Sequence, residues 1–156
     1  MNSQNKFENI LQKLISINGS DLHIREDRPV YLRNLKIVNP VLDVEPFTRA
    51  EILELLRNFM TKEKLESFGE TKSIDFSAIA LGRRLRGNAF LERGKISLTM
   101  RLIPAVKSVQ ELKLPEVLHT IALQEQGFFL VTGSVGNGKS TTVASMVSVI
   151  NKEKLR

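Results

Sequence analysis

Eight consecutive residues near the C-terminal end, GSVGNGKS, have the types and the spacing of a phosphate-binding loop. Gly133, Gly138, Lys139 and Ser140 fill the fixed positions of the pattern G-x-x-x-x-G-K-[ST]. Glycines let backbone N–H groups converge on phosphate oxygens, the lysine ammonium reaches the outer phosphates of a triphosphate, and the hydroxyl can coordinate Mg²⁺. The loop therefore predicts ATP and Mg²⁺ as ligands, with Ser140 as the metal ligand. The predicted nucleotide-binding residues are Gly133, Ser134, Val135, Gly136, Asn137, Gly138, Lys139, Ser140 and Thr141.

The segments on either side of the loop favour this interpretation. Residues 128–132 form a short apolar run that predicts a β-strand, and residues 141–152 carry apolar side chains at helical spacing. A strand, a glycine loop and a helix in this order set the partial positive charge of a helix N-terminus against the phosphates. The alternative is a glycine turn that joins a strand to a helix without a ligand, and this context disfavours it.

The composition limits the classes of protein and partner. The chain has 156 residues, a net charge of +6 and no cysteine, which excludes disulfides and thiolate metal sites. No apolar run is long enough to cross a bilayer and no signal peptide is evident, so we expect a cytoplasmic protein without a transmembrane segment. A basic chain can bind nucleic acid, but one tyrosine and no tryptophan leave little surface for base stacking. No nucleic acid partner is therefore expected.

Residues 1–103 predict a domain of helices and an antiparallel sheet. Apolar spacing predicts a helix over 6–17, and alternation predicts strands within 20–25 and 30–38. Two helices follow, the first of them behind a capping box formed by Thr48 and Glu51. From residue 73 onward the apolar residues alternate between two turns, which predicts a three-stranded antiparallel meander.

The remainder of the chain predicts an incomplete second domain. Residues 104–114 have the composition of a linker, and residues 115–156 supply a helix, one strand, the loop and one further helix. A nucleotide-binding α/β domain needs several parallel strands with helices on both faces. We therefore expect residues 115–156 to be only the start of such a domain.

Four segments, in this order, resemble the secretion and pilus motor ATPases, and in particular the PilT-like ATPases of type IV pilus retraction. Residues 19–24 (GSDLHI) resemble the family's opening signature, and residues 84–90 (RLRGNAF) resemble its arginine-rich strand. Residues 100–104 (MRLIP) resemble the strand that leaves the N-terminal domain, and residues 129–141 resemble the nucleotide loop. Relatives that act in pilus extension or in secretion usually carry an additional domain before this signature. The early position of the signature in this chain therefore favours the relatives that act in pilus retraction.

The resemblance implies a fold and a role. The fold is α+β, with a PAS-like N-terminal domain of antiparallel sheet and helices, followed by the truncated start of a RecA-like α/β P-loop domain. Complete members form a hexameric ring that hydrolyses ATP with Mg²⁺ and drives pilus retraction in twitching motility. Their partner is a pilus platform protein of the inner membrane, which implies a cytoplasmic location with peripheral association at that membrane.

The resemblance also implies which arginines reach the nucleotide. Family arginines in this sheet contact the triphosphate at a subunit boundary, where a guanidinium fork stabilises charge on phosphoryl oxygens. The matching candidates for this catalytic role are Arg84, Arg86, Arg93 and Arg101. The alternative is that they face solvent or pair with Glu92 or Asp75. Asp21 and His23 are expected to be structural rather than catalytic.

The sequence departs from the family beyond the first core helix. The acidic segment with the glutamate that orients the attacking water, the Walker B segment and the histidine segment have no counterpart in these 156 residues. We therefore expect ATP binding without hydrolysis by this chain. Two alternatives stay open: a non-catalytic assembly or regulatory module of such a ring, and a related type II or type IV secretion or DNA-uptake ATPase.

Overall fold

The structure, a computed structural model, describes residues 2–154 and contains two units, the first ending at Pro104 and the second beginning at Ala105. The first unit contains α1 (Ser3–Ser16), β1 (Asp21–Arg25), β2 (Val30–Asn34), β3 (Ile37–Val41), α2 (Arg49–Phe59), α3 (Lys62–Thr71), β4 (Ser73–Ala80), β5 (Arg83–Glu92) and β6 (Lys95–Leu102). The second unit contains α4 (Val117–Ala122) and α5 (Lys139–Glu153).

Helix α1 begins and packs as its sequence dictates. The side chain of Asn2 accepts a hydrogen bond from the backbone N–H of Gln4 at 2.9 Å and so satisfies one of the free donors of the first turn. Apolar side chains recur at helical spacing along one face, and Phe7, Ile10 and Leu14 are fully buried on it. This face anchors the helix in the core of the first unit.

The sheet of the first unit has six antiparallel strands in the order β3-β2-β1-β6-β5-β4. The predicted meander is present as β4, β5 and β6, joined through tight turns. Strand β1 pairs with β2 on one side and with β6 on the other, which merges the N-terminal strands and the meander into one sheet. The predicted α+β class, with an antiparallel sheet and helices, is confirmed.

The two faces of this sheet differ sharply in chemistry. One face carries the apolar members of each alternating strand, such as Leu22, Leu85 and Met100, which are fully buried in a core shared with α1 and α2. The opposite face carries the polar members, because successive side chains of a strand point to opposite sides. We call this second surface the open face, and it contains every arginine on β5 and β6 other than Arg83.

The second unit has a much smaller core. Its buried apolar residues are Val109, Ala122, Met146 and Val149. Residues 104–114, predicted as a linker, contribute Val109 to this core, and Leu114 packs against it. No helix within residues 2–154 is long and apolar enough to span a membrane.

One predicted element of the second unit is absent. Residues 128–132 do not form a strand, and Phe128 and Leu130 are 89% and 66% exposed. A β-strand is stabilised by ladder hydrogen bonds to a neighbour, and no strand occurs among the described residues of this unit. The apolar run therefore has the composition of a strand without the partner that a strand requires.

Candidate functional site

The glycine loop lies directly before the N-terminus of α5. Gly133, Gly136 and Gly138 have φ angles of +146°, +87° and +76°, a region that glycine adopts without the steric penalty of a Cβ. Helix α5 then begins at Lys139, so that its first free N–H groups adjoin the loop. The glycines at these positions are thus required by the backbone conformation itself.

A concavity of about 410 Å³ lies over the loop and the first turn of α5. Lys139, Ser140 and Thr141 line it together with the loop backbone. The Lys139 ammonium donates a hydrogen bond to the carbonyl oxygen of Ser134 at 2.6 Å, and it forms no ion pair within residues 2–154. A Mg²⁺-bound polyphosphate needs hydrogen-bond donors, a positive charge and an oxygen ligand for the metal. The first turn of α5 offers free helix N–H groups, the Lys139 ammonium without a carboxylate partner and the Ser140 hydroxyl.

The residues predicted to bind nucleotide thus lie in one continuous loop and helix start. Val135 is fully exposed at the tip, and the other loop residues are also largely exposed. Ser140 lies in the first turn of α5, next to Lys139, where its hydroxyl could hold Mg²⁺. This arrangement can bind phosphates, but it contains no carboxylate that could activate water.

The candidate arginines belong to the first unit, and three of them cluster on its open face. Arg86 on β5 and Arg101 on β6 lie directly opposite each other, and Arg84 is two residues from Arg86 on the same face. The side chains of Arg86 and Arg101 are 73% and 65% exposed. Like charges opposite each other on a sheet repel, so an anion near this pair would be stabilising.

Arg93 lies apart from the other three. It occupies the turn between β5 and β6 with a φ of +51°, followed by Gly94 at +78°. Seven residues of extended strand separate it from Arg86, a distance of about 23 Å at the usual rise per residue. One small ligand cannot contact Arg93 and Arg86 of the same chain.

Asp21 holds Arg101 in place from the neighbouring strand. The Nε of Arg101 donates to Oδ1 of Asp21 at 2.7 Å, and the hydroxyl of Ser20 donates to Oδ2 at 2.8 Å. The Asp21 side chain is 6% exposed, and Arg33 lies 3.9 Å from it. Burial alone would raise the pKa of Asp21, but the hydrogen bonds from Arg101 and Ser20, with the charges of Arg101 and Arg33, outweigh burial and lower it.

His23 lies two residues further along β1 on the same face. Its Nδ1 is 3.3 Å from the hydroxyl of Thr99 on β6. Burial and the nearby charge of Arg33 lower the pKa of His23, with a smaller opposing effect of Asp21. The lowered pKa favours the neutral form of His23 at pH 7, and the ring lies beside the Thr99 hydroxyl as a hydrogen-bonding group.

The ion pairs on the open face differ in part from those considered from the sequence. Arg86 approaches Asp75 at 3.9 Å, but both side chains are largely exposed, so this pair contributes little. Glu92 pairs with Arg25 rather than with one of the candidate arginines. Sequence reasoning missed the Asp21–Arg101 pair, because 80 residues separate the two and only the pairing of β1 with β6 brings them together.

The chain is similar over most of its length to an uncharacterized protein and to a type IV pilus ATPase. It is 35% identical over 147 residues to the uncharacterized protein YggR of Escherichia coli, a match that covers 93% of this chain and 44% of YggR. It is 32% identical over 149 residues to the type IV pilus ATPase PilU of Pseudomonas aeruginosa, covering 94% of this chain and 39% of PilU. No family model matches the chain.

A solved structure of a pilus motor is similar to this chain in fold. The crystal structure of the pilus retraction motor PilT with bound ADP matches with a TM-score of 0.71 at 30% identity, over 92% of this chain and 42% of PilT. The chain therefore spans between 39% and 44% of the length of these three relatives.

Proposed function

We propose that this chain, which is homologous to the N-terminal part of the PilT-like type IV pilus ATPases, is the ATP-binding part of a motor ATPase that powers pilus retraction. The observation that carries the proposal is the glycine loop with three positive φ angles directly before α5. This backbone matches an ATP-phosphate site, and the loop is part of the segment that is similar to PilT and PilU.

Each residue of the loop has a defined role in this proposal. The backbone N–H groups of residues 133–141 bind the phosphates, and the Lys139 ammonium neutralises the outer phosphate oxygens. Ser140 coordinates Mg²⁺, which offsets phosphate charge when it is bound. The ammonium reaches the nucleotide by exchanging its hydrogen bond to the Ser134 carbonyl for one to a phosphate oxygen.

The arginines complete the site from a neighbouring subunit of a hexameric ring. Arg86 and Arg101 are the best placed, because they lie opposite each other with exposed guanidinium groups. Arg84 adjoins them, whereas Arg93, in the turn between β5 and β6, acts at a different contact. The ring works in the cytoplasm against a pilus platform protein at the inner membrane, without nucleic acid as a partner.

Hydrolysis by this chain is not expected. The described carboxylates of the second unit are Glu111, Glu116, Glu125 and Glu153. The Glu111 carboxylate accepts a hydrogen bond from the Ser108 N–H at 2.7 Å, the Glu111 N–H donates to the Ser108 hydroxyl at 3.1 Å, and Glu153 pairs with His119 at 2.7 Å. None of the four lines the concavity over the loop, so none can orient a water molecule for attack on a bound phosphate.

A second candidate is a non-catalytic module that assembles with complete subunits of such a ring. The specific observation in its favour is the exposed apolar run at residues 128–130, which lacks a strand partner among the described residues. Co-purification with a complete PilT-like ring would favour this candidate, and a chain that never enters the ring would exclude it.

Nucleotide titration tests the main proposal. We expect a fluorescent ATP analogue with Mg²⁺ to bind the chain, and Lys139→Ala to weaken binding by at least about tenfold, the loss of one charge-assisted contact. Lys152→Ala removes the same charge from the last turn of α5 and serves as the matched control.

Two outcomes would contradict the proposal. Equal weakening in both variants would show a general charge effect rather than a site at the loop. Absence of binding in the unsubstituted chain would show that the loop does not serve as a nucleotide site in these 156 residues.

A further inference from the structure

A second concavity, of about 600 Å³, lies on the open face of the first unit. Two rows of side chains form its floor: Tyr31, His23 and Thr99 lie across β2, β1 and β6, and Arg25, Ser97 and Phe90 lie across β1, β6 and β5. The turn from β1 to β2 closes one end with Arg28. Its size is within the range of small-molecule sites, about 300–1,000 Å³.

Two arginines give this concavity a positive charge. Arg28 is exposed and forms no ion pair within residues 2–154. The guanidinium of Arg25 lies 3.3 Å from Glu92, a pair that is about half exposed on both sides. Arg28 thus supplies a free guanidinium fork, the group that binds carboxylate and phosphate oxygens in a bidentate manner.

Two aromatic rings border the same space. Tyr31 on β2 is 40% exposed, and Phe90 on β5 is partly buried. They are separated by three strand spacings and by two residues along the strands, about 16 Å in all. Both rings line the same concavity as the two arginines, so a planar ring that stacks on either side chain lies in a positively charged site.

The floor contains a polar group that lacks a partner. Ser97 is 5% exposed, and its hydroxyl makes no hydrogen bond. Buried polar side chains are nearly always hydrogen-bonded, so the Ser97 hydroxyl on the floor of the concavity is a polar group that a bound molecule or a water could satisfy. Neutral His23 and Thr99 add further hydrogen-bonding atoms beside it.

We propose that this concavity is a binding site for a small organic anion with a planar ring, the chemical class to which nucleoside monophosphates belong. The anionic group of the ligand binds Arg28, and its ring stacks on Tyr31 or Phe90. Polar groups of the floor bind the rest of the ligand. The site shares no residue with the glycine loop, since its residues lie in the first unit and those of the loop in the second.

The sequence supplies reporters for a direct test. Tyr31 is the single tyrosine, and His23 and His119 are the two histidines of the chain. We expect AMP to shift the proton NMR signals of the Tyr31 ring and of His23 in a saturable way, with magnetisation transfer from the Tyr31 ring to AMP. The signals of His119, in α4 of the second unit, report on that unit and are expected to stay in place.

Variants separate this site from other binding. Lys139→Ala, which removes the lysine of the loop, leaves the Tyr31 and His23 shifts intact. Arg28→Ala weakens AMP binding by at least about tenfold, the loss expected for a charge-assisted hydrogen bond. Arg57→Ala removes another exposed arginine, from α2, and leaves the affinity unchanged.

Three results would overturn the proposal. The Tyr31 and His23 signals could remain unmoved up to about 10 mM AMP, beyond the range of specific binding. Arg28→Ala and Arg57→Ala could have the same effect. Glycerol phosphate, which has no planar ring, could bind as tightly as AMP, and the ring would then have no part in recognition.

Discussion

A buried carboxylate determines where an exposed arginine points on the open face. The side chain of Asp21 is 6% exposed, whereas that of its partner Arg101 is 65% exposed. The hydrogen bond uses Nε of Arg101, which leaves the terminal nitrogens of the guanidinium available for an anion. Asp21 therefore acts as a positioning residue, as well as a source of stability for the pairing of β1 with β6.

We expect Asp21→Asn to destabilise the protein by about 1–3 kcal/mol at pH 7, because it replaces charge-assisted hydrogen bonds with neutral ones. Urea denaturation measures this change. Asp75→Asn is the matched control, since Asp75 lies on the same face but is 68% exposed and 3.9 Å from its arginine. Equal losses in the two variants would contradict the role given to Asp21.

The same pair predicts a dependence of stability on pH. Because the folded-state pKa of Asp21 is lowered, its contribution is complete above the unfolded pKa of about 3.9 and is lost as the pH falls through the lower folded value. The difference in stability between the unsubstituted chain and Asp21→Asn should therefore shrink in acid. A difference that grew in acid would refute this assignment.

At the scale of elements, the helices of the first unit differ in how their N-termini are satisfied. Helix α2 has a complete capping box: the Thr48 hydroxyl accepts from the N–H of Glu51 at 3.3 Å, and the Glu51 carboxylate accepts from the N–H of Thr48 at 2.7 Å. Glu51 also binds the buried ammonium of Lys6 at 2.9 Å, so the cap of α2 is tied to α1. Helix α3 begins after Thr61, which makes no side-chain capping hydrogen bond.

These two threonines form a matched pair for mutation. Thr48→Ala should cost about 1 kcal/mol, the usual value for losing a helix cap, and Thr61→Ala should cost less than half of that. The free energy of unfolding in urea at pH 7 distinguishes them. A larger loss for Thr61→Ala would show that the local caps do not control the stability of these helices.

At the scale of the molecule, the two units differ in how much apolar surface they bury. The first unit has a continuous core beneath a six-stranded sheet, while the second has four buried apolar residues among those described. The stability of the chain therefore resides mainly in the first unit. The glycine loop belongs to the second unit, where binding of a nucleotide would add stability in proportion to its affinity.

We predict that the second unit binds ATP without hydrolysing it. We expect phosphate release from Mg²⁺-ATP by the unsubstituted chain to be no faster than that by Lys139→Ala, because no carboxylate of residues 2–154 lines the concavity over the loop. A colorimetric phosphate assay measures both proteins side by side. Release that depends on Lys139 would contradict this prediction and would point to a catalytic carboxylate elsewhere in the chain.

The sequence by itself determined the features that are encoded locally. Alternation and helical spacing identified the α+β class and the meander of β4 to β6, because each depends on neighbouring residues. The spacing of Gly133, Gly138 and Lys139 identified the loop, and its glycines have the positive φ angles that such a loop needs, whereas nucleotide binding by the loop stays a prediction.

Only the tertiary structure decided the features that depend on distant residues. The register of β1 against β6 brings Asp21 to Arg101 and forms the floor of the second concavity, and strand register is fixed by packing of the whole sheet. Residues 128–132 show the converse: a strand-like composition yields no strand where the described part of the second unit offers no partner strand, because the stability of a strand lies in its neighbours.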